Sequence, residues 1–366
     1  MAIALSPRLV RRGLQIFLLA SLLGFAASLV YGNNLGSFVA SLSRVRWGWV
    51  LVGVGLASMD WLGGGLRLWV IARVVHPHPP IGGMITAGGM SAWAAYLTPF
   101  NSGGGPMMMY AMKRVGVPLP VAVTSTLLTF IATVAFFALA GPAAIVAGAG
   151  VALQSKGNVG GLSLYDLFLG SLGIFVLLAL LFVVLLIVPK RVHAGVARLA
   201  QWAGSRSTRL ATRLERLQHG LDQALHSLQT FRTWKGMTAL AWATLISGPS
   251  HANKLLAGYV ALRAIGIEAN FVDILLVQTL VTFLLYFAPT PGASGVGEVL
   301  STLVMANFVP RELTPLYTLL WRSILSYFTI AAGFVIFSGW VSRGLKAIGD
   351  EGDEAPSDEP PDGVPA

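Results

Sequence analysis

Asp60, Arg67, His251, Lys254, Glu298 and Arg322 stand inside stretches of sequence that are otherwise apolar. An ionised group alone in a hydrocarbon medium costs about 2.5–3.5 kcal/mol on insertion scales, so each needs a counter-charge, a bound anion or water. Asp60 and Arg67 are seven positions apart, on one face of a helix, where they can pair or bracket a charged headgroup. The plainer alternative is an Arg67 that snorkels to an interface. His251, Asn253 and Lys254 follow the helix-breaking run Gly248-Pro249-Ser250. Lys254 suits an anionic phosphate as a point charge; alternatively it snorkels while His251 caps the broken helix. Glu298 follows three glycines, and either caps a helix N-terminus or is a buried acid paired with Arg322 or with a headgroup. Arg322 lies too deep in the last apolar stretch to reach an interface easily. Arg322, Lys254 and Arg67 are therefore expected to converge on one water-accessible cavity, since separate buried cations are costly without a shared anion. No Ser-His-Asp set or paired carboxylates stand at hydrolase spacing, and His76-Pro-His78 has no further ligand nearby. Neither an enzyme mechanism nor a metal or other cofactor is expected.

Two Gly/Pro runs interrupt the apolar sequence: Thr98-Pro-Phe-Asn-Ser-Gly-Gly-Gly-Pro106 and Ala288-Pro-Thr-Pro-Gly-Ala-Ser-Gly-Val-Gly-Glu298. Backbone opened there loses its helical hydrogen bonds, which lipid cannot replace, so each run must be buried in protein or line a watery cavity. Asn101, Gly103, Gly104, Gly105, Pro289, Pro291, Gly292, Gly295 and Gly297 join the charged residues as candidate lipid-binding positions. Glycines permit positive φ and close approach, and exposed N–H groups there can hold a phosphate or simply make the turn. Tyr96-Leu-Thr-Pro99 matches Tyr286-Phe-Ala-Pro289 at an offset of 190, with Gly105 on Gly295, whereas Val117-Pro118 matches Val309-Pro310 at 192. The order of span, short apolar helix, break, short helix and span recurs, which suggests an inverted repeat with a site between the copies. The two breaks are then expected to face each other from opposite leaflets.

The elements that must position these residues follow from composition. Hydrophobic residues make up 55% of 366 and charged ones 11%, with a mean hydropathy of +0.72. That is far from the soluble average. Apolar stretches of about 18–20 residues recur, enough to cross a hydrocarbon core of about 30 Å. Expected spans are Leu14–Tyr31, Trp47–Val75, Val117–Ala140, Leu164–Val188, Met237–Ile265 and one within Leu313–Val341. The expected architecture is all-α and polytopic, with about six transmembrane helices plus two re-entrant broken helices. Repeat one covers about 47–140 and repeat two about 237–341 of a membrane domain at 1–346. Between them, Lys190 to Lys235 reads as a basic amphipathic segment on the cytoplasmic side, which places both termini in the cytoplasm. The acidic tail, 347–366, should be disordered. The basic excess (net charge +10) lies beside apolar spans, where it serves orientation and anionic-lipid contact rather than nucleic acid. With no cysteine, thiol chemistry is excluded.

Pro289-Thr-Pro-Gly-Ala-Ser-Gly-Val-Gly-Glu298, Arg322-Ser-Ile-Leu-Ser-Tyr327 and Gly333 resemble the C-terminal signature of the lysylphosphatidylglycerol synthase transmembrane family, also called the flippase-like domain family. The first break, with Tyr110 and Arg114-Val-Gly116, resembles its other signature. In place of the commoner Pro-Gly-Arg-x-Gly-Glu, however, this chain has Gly-Gly-Gly-Pro-Met, with no acidic residue. The resemblance implies a multi-pass protein of the cell membrane that moves an anionic, aminoacylated or polyprenyl-linked lipid between leaflets. It lacks the soluble aminoacyl-transferase domain of the bifunctional relatives, so it is not expected to make the lipid. The alternatives are a non-transporting lipid-binding accessory of a biosynthetic enzyme and, third, an intramembrane transferase. Membrane lipids are the expected partners, with a biosynthetic enzyme as a further one.

Overall fold

The computed structural model describes residues 7–32, 35–148, 158–159, 161–187, 198 and 231–337. The basic segment expected at 190–235 lies outside them except for 198 and 231–235, and the acidic tail lies wholly outside. Helices run in the order α1 (Pro7–Tyr31), α2 (Leu35–Leu42), α3 (Trp47–Val75), α4 (Ile81–Tyr96), α5 (Gly104–Arg114), α6 (Leu119–Val146) and α7 (Leu164–Ile187). They continue with α8 (Trp234–Ser250), α9 (Ala252–Leu255), α10 (Ala257–Ala264), α11 (Phe271–Tyr286), α12 (Val296–Met305) and α13 (Thr314–Arg322). A single π-helical turn, Ser323–Tyr327, carries α13 onward, and the helix continues to Phe337. A two-residue antiparallel ladder pairs Asn158–Val159 with Leu162–Ser163.

The protein is an all-α polytopic membrane protein. Five helical stretches are long and apolar enough to cross a bilayer: Arg11–Tyr31, Trp47–Val75, Leu119–Val146, Tyr165–Val184 and Arg311–Phe337. Leucines at 18, 19, 22 and 23 of α1 and at 177 and 180 of α7 are exposed, as lipid-facing positions require. The fifth expected span, Met237–Ile265, is not one helix. Pro249 has no N–H to donate, the helix stops at His251 (φ −106°, ψ 13°), and a second interruption falls at Leu256 (φ −107°, ψ −8°). α8, α9 and α10 therefore follow one another as a broken series. α6 runs past the expected end of its span at Ala140 to Val146 and carries Pro142 inside it.

α3 is the central post, packed against α4, α6, α8, α9 and α10. Its triple glycine makes this possible. A Cβ on Gly63 would stand 2.7 Å from the Cα of Ser250, and one on Gly88 of α4 would stand 2.9 Å from the Cα of Gly65. Small residues substitute for hydrophobic burial in lipid, because close backbone approach supplies the van der Waals contact that holds helices together there.

Each break joins two helices too short to cross alone: α4 (16 residues) with α5 (11), and α11 (16) with α12 (10). The structure also corrects their register. In the first, Thr98 leads the 3₁₀ turn Pro99–Asn101, with Phe100 and Asn101 at φ 53° and 54°. In the second, Thr290 leads Pro291–Ala293, with Gly292 and Ala293 both at φ 55°. The turns thus correspond at an offset of 192, Pro99 on Pro291, as do the starts of α5 and α12. The shift from the tyrosine offset of 190 is absorbed by two extra residues after Tyr286. The turns touch each other, with Phe100 N–H donating to Ala288 O at 3.3 Å.

Candidate functional site

A cavity of about 610 Å³ lies between α3, α4, α5, α6, α7, the α8–α9 break and the end of α11. Asp60, Arg67, Asn101, Gly104, Gly105, His251 and Lys254 all line it. Sequence reading had placed each of these seven among the site residues, although they come from three separate stretches of chain.

Its polar end is built in two parts. In the first, Lys254 Nζ donates to both oxygens of Asp60 at 3.0 Å, and Asp60 Oδ2 also accepts from Tyr96 OH at 2.8 Å and Asn253 Nδ2 at 3.3 Å. Asp60 therefore pairs with Lys254 across the α8–α9 break and not with Arg67 along its own helix. The cluster also ties the first break to this broken series, since Tyr96 is the last residue of α4 and Lys254 Nζ lies 5.6 Å from its ring centroid. In the second part, Arg67 Nη1 donates to Thr133 Oγ1 at 2.6 Å and to Ser247 Oγ at 2.8 Å. Arg67 is 7% exposed, so it does not snorkel, and it forms no ion pair among the described residues. His251 Nδ1–H donates to Ser247 O at 2.7 Å, because a carbonyl can only accept. Its ring stacks on Phe136 and meets Phe137 edge-on. It thus fills the gap after Ser250 without acting as a lone ligand.

Much of the rest of the wall is apolar, with Met108, Met109, Val123, Leu127, Val134, Phe175 and Leu178 lining it beside the hydroxyls of Ser91, Thr126 and Thr129. Toward the outside it ends at Phe100, Phe130 and Phe287, which are 59%, 51% and 41% exposed. Its charged residues thus suit a charged group, and its exposed phenylalanines open it to the protein surface.

The remaining expected site residues form a second cluster. Arg322 and Glu298 are both fully buried and paired at 2.9 Å, and Arg322 also donates to Gly292 O from Nη1 and Nη2 at 3.1 and 3.2 Å. Tyr327 OH donates to Glu298 Oε1 at 3.0 Å. A Cβ on Gly297 would come within 3.1 Å of Arg322 Nη1, so that glycine makes room for the guanidinium. Gly295, at φ 76°, starts α12. Pro291 and Gly292 are buried and Pro289 is exposed. Arg322 is therefore not a third cation of the cavity: Glu298, not a ligand, compensates it. Gly103 also sits behind the cavity wall, its N–H donating to Thr98 Oγ1 at 2.7 Å. Gly292, whose carbonyl accepts from Arg322, also lines a small recess with Tyr96, Asn101 and Lys254.

Sequence reading missed Thr133, Ser247 and Tyr96 as site residues. Thr126, Thr129 and Thr133 recur at helical spacing on α6 and all line the cavity; hydroxyls repeated on one face of an apolar span were the available signal. The family model described as the lysylphosphatidylglycerol synthase TM region matches residues 13–333. No curated protein matches the chain.

Proposed function

The chain belongs to the lysylphosphatidylglycerol synthase TM-region family, and from that premise we propose that it moves an anionic, aminoacylated or polyprenyl-linked lipid between leaflets. The observation that carries this reading is Arg67: a buried guanidinium with no carboxylate partner among the described residues, set in a largely apolar cavity that opens to the protein surface. A buried charge is tolerated where an anion completes it, and a lipid presents the matching form, an anionic head with tails that stay in the bilayer. In this reading α4–α5 and α11–α12 are re-entrant pairs of an inverted repeat, with the cavity at their meeting point. The chain then resides in the cell membrane with both termini cytoplasmic, and acts as a transporter rather than an enzyme.

The test uses purified full-length chain in vesicles with a headgroup-labelled phospholipid and an impermeant quencher. Transport gives a second, protein-dependent phase of quenching that Arg67→Gln abolishes. Binding without that phase makes the chain a lipid-presenting accessory of a biosynthetic enzyme, and a change in lipid mass makes it a transferase.

A further inference from the structure

A guanidinium carries its five N–H donors on three nitrogens, and the described residues engage one of Arg67's three. Nη1 serves Thr133 and Ser247, Nε is buried without a partner, and Nη2 makes no hydrogen bond among the described residues. Nε–H and Nη2–H form the parallel edge that meets two oxygens of one anion side-on. Thr133 and Ser247, from α6 and α8, fix the guanidinium plane through Nη1, so the Nε–Nη2 edge is pre-oriented. The cavity's other cation does not add to this charge, because Lys254 is spent on both oxygens of Asp60. With His251 as a neutral imidazole, one positive charge is left uncompensated among the lining residues. A second negative charge on a ligand would find no second uncompensated cation among the lining residues, only neutral donors such as Ser91, Asn101 and Thr126 set among apolar side chains.

We propose that the Nε–Nη2 edge of Arg67 holds the two non-bridging oxygens of a single phosphodiester. The cargo is then a monoanionic phosphodiester lipid, and diphosphate-linked carriers are disfavoured. This rests on the lipid-transport reading and narrows it.

Binding to the purified full chain in micelles tests it with three probes: dihexanoyl phosphatidylglycerol, farnesyl diphosphate and tail-less glycerophosphoglycerol. The expected result is that the short-chain phosphodiester binds roughly tenfold tighter than the diphosphate, with Arg67→Lys weakening it by about the same factor through loss of one charged hydrogen bond. Lysine keeps the charge, so its stability is expected to change little. The wild-type comparison needs no variant at all. Equal or tighter binding of the diphosphate overturns the single-charge assignment, and an unchanged affinity of Arg67→Lys overturns the two-donor edge. In either case lipid movement in vesicles can persist, which separates failure here from failure of the proposed function. If tail-less glycerophosphoglycerol binds as well as the lipid, the Arg67 assignment stands and the lipid reading falls instead.

Discussion

The two breaks share a Thr-Pro turn, paired positive-φ residues and the same spacing to the next helix, yet they sit in opposite environments. None of the residues of the turn Pro99–Asn101 is buried, and Phe100 and Asn101 line the cavity. Pro291, Gly292 and Ala293 are all buried, pinned by the Arg322–Glu298 pair. The cause is α1, which belongs to neither repeat. Phe17 packs on Gly292, and a Cβ on Gly24 would stand 2.9 Å from Cβ of Glu298. No equivalent helix among the described residues covers the first break. A duplicated motif has thus been divided between a cavity wall and a scaffold, and the covering helix, not the motif, decides which is which.

The largest expected effect falls on the scaffold side. Arg322→Leu leaves Glu298 buried and unpaired, and should cost about 3–5 kcal/mol, read as the unfolding midpoint in micelles. If Arg322→Leu keeps the wild-type midpoint and loses only transport, the second break is a site after all. Next comes the α3–α4 seam. Gly65→Val forces apart helices whose backbones touch, at about 1–3 kcal/mol, and should lower the midpoint without altering the relative affinities of the anionic ligands. A smaller loss is expected on the cavity side. Asp60→Asn frees Lys254 in a wall that water can reach, so its cost should be about 1–2 kcal/mol, far below that of Arg322→Leu. The added positive charge should raise affinity for doubly charged ligands, which the same binding titration reads. An Asp60→Asn loss equal to that of Arg322→Leu would erase the division between the two clusters.

Much of this could be read from residues, and the limits have physical causes. The ends of α3 and the existence of both breaks followed from hydropathy and Gly/Pro chemistry, because lipid punishes every unsatisfied backbone group. Of the seven cavity residues, Asp60, Arg67, His251 and Lys254 were legible because ions in apolar sequence need reasons, and Asn101, Gly104 and Gly105 because the Gly/Pro break had to be buried or line a cavity. The Glu298–Arg322 pair was among the readings, and partner choice failed only in the cavity. Asp60 and Arg67 share a helix face, but a broken series elsewhere in the chain brought Lys254 to the carboxylate and Ser247 to the guanidinium. Tertiary proximity of that kind leaves no local trace. The role of α1 did leave one. Gly13, Phe17, Ser21, Gly24 and Ser28 are its buried positions among the described side chains, and Gly32 just after it is buried too, five of the six being small at steps of three or four. That is the mark of a helix laid closely on others, and it stood in a segment that looked like a plain first span.

The smallest perturbation gives the most direct view of the division. Ser102 is exposed at the first break, whereas Ser294 is 1% exposed at the second, its hydroxyl buried without a partner. Serine to cysteine changes little volume, and the chain has no cysteine of its own, so either variant should retain nearly wild-type stability. An impermeant maleimide should label Ser102→Cys from one side of an oriented vesicle and leave Ser294→Cys unlabelled from both. The turns touch through Phe100 and Ala288, so a difference in reactivity cannot come from distance across the bilayer; it must come from cover. Removing part of that cover with Phe17→Ala should then make Ser294→Cys reactive, from the side opposite to Ser102 if the repeats are inverted. If Ser294→Cys labels as fast as Ser102→Cys with α1 intact, the second break is open to water and α1 is not its lid. If it becomes reactive only in Phe17→Ala, but from the same side as Ser102, the cover stands and the inverted arrangement falls.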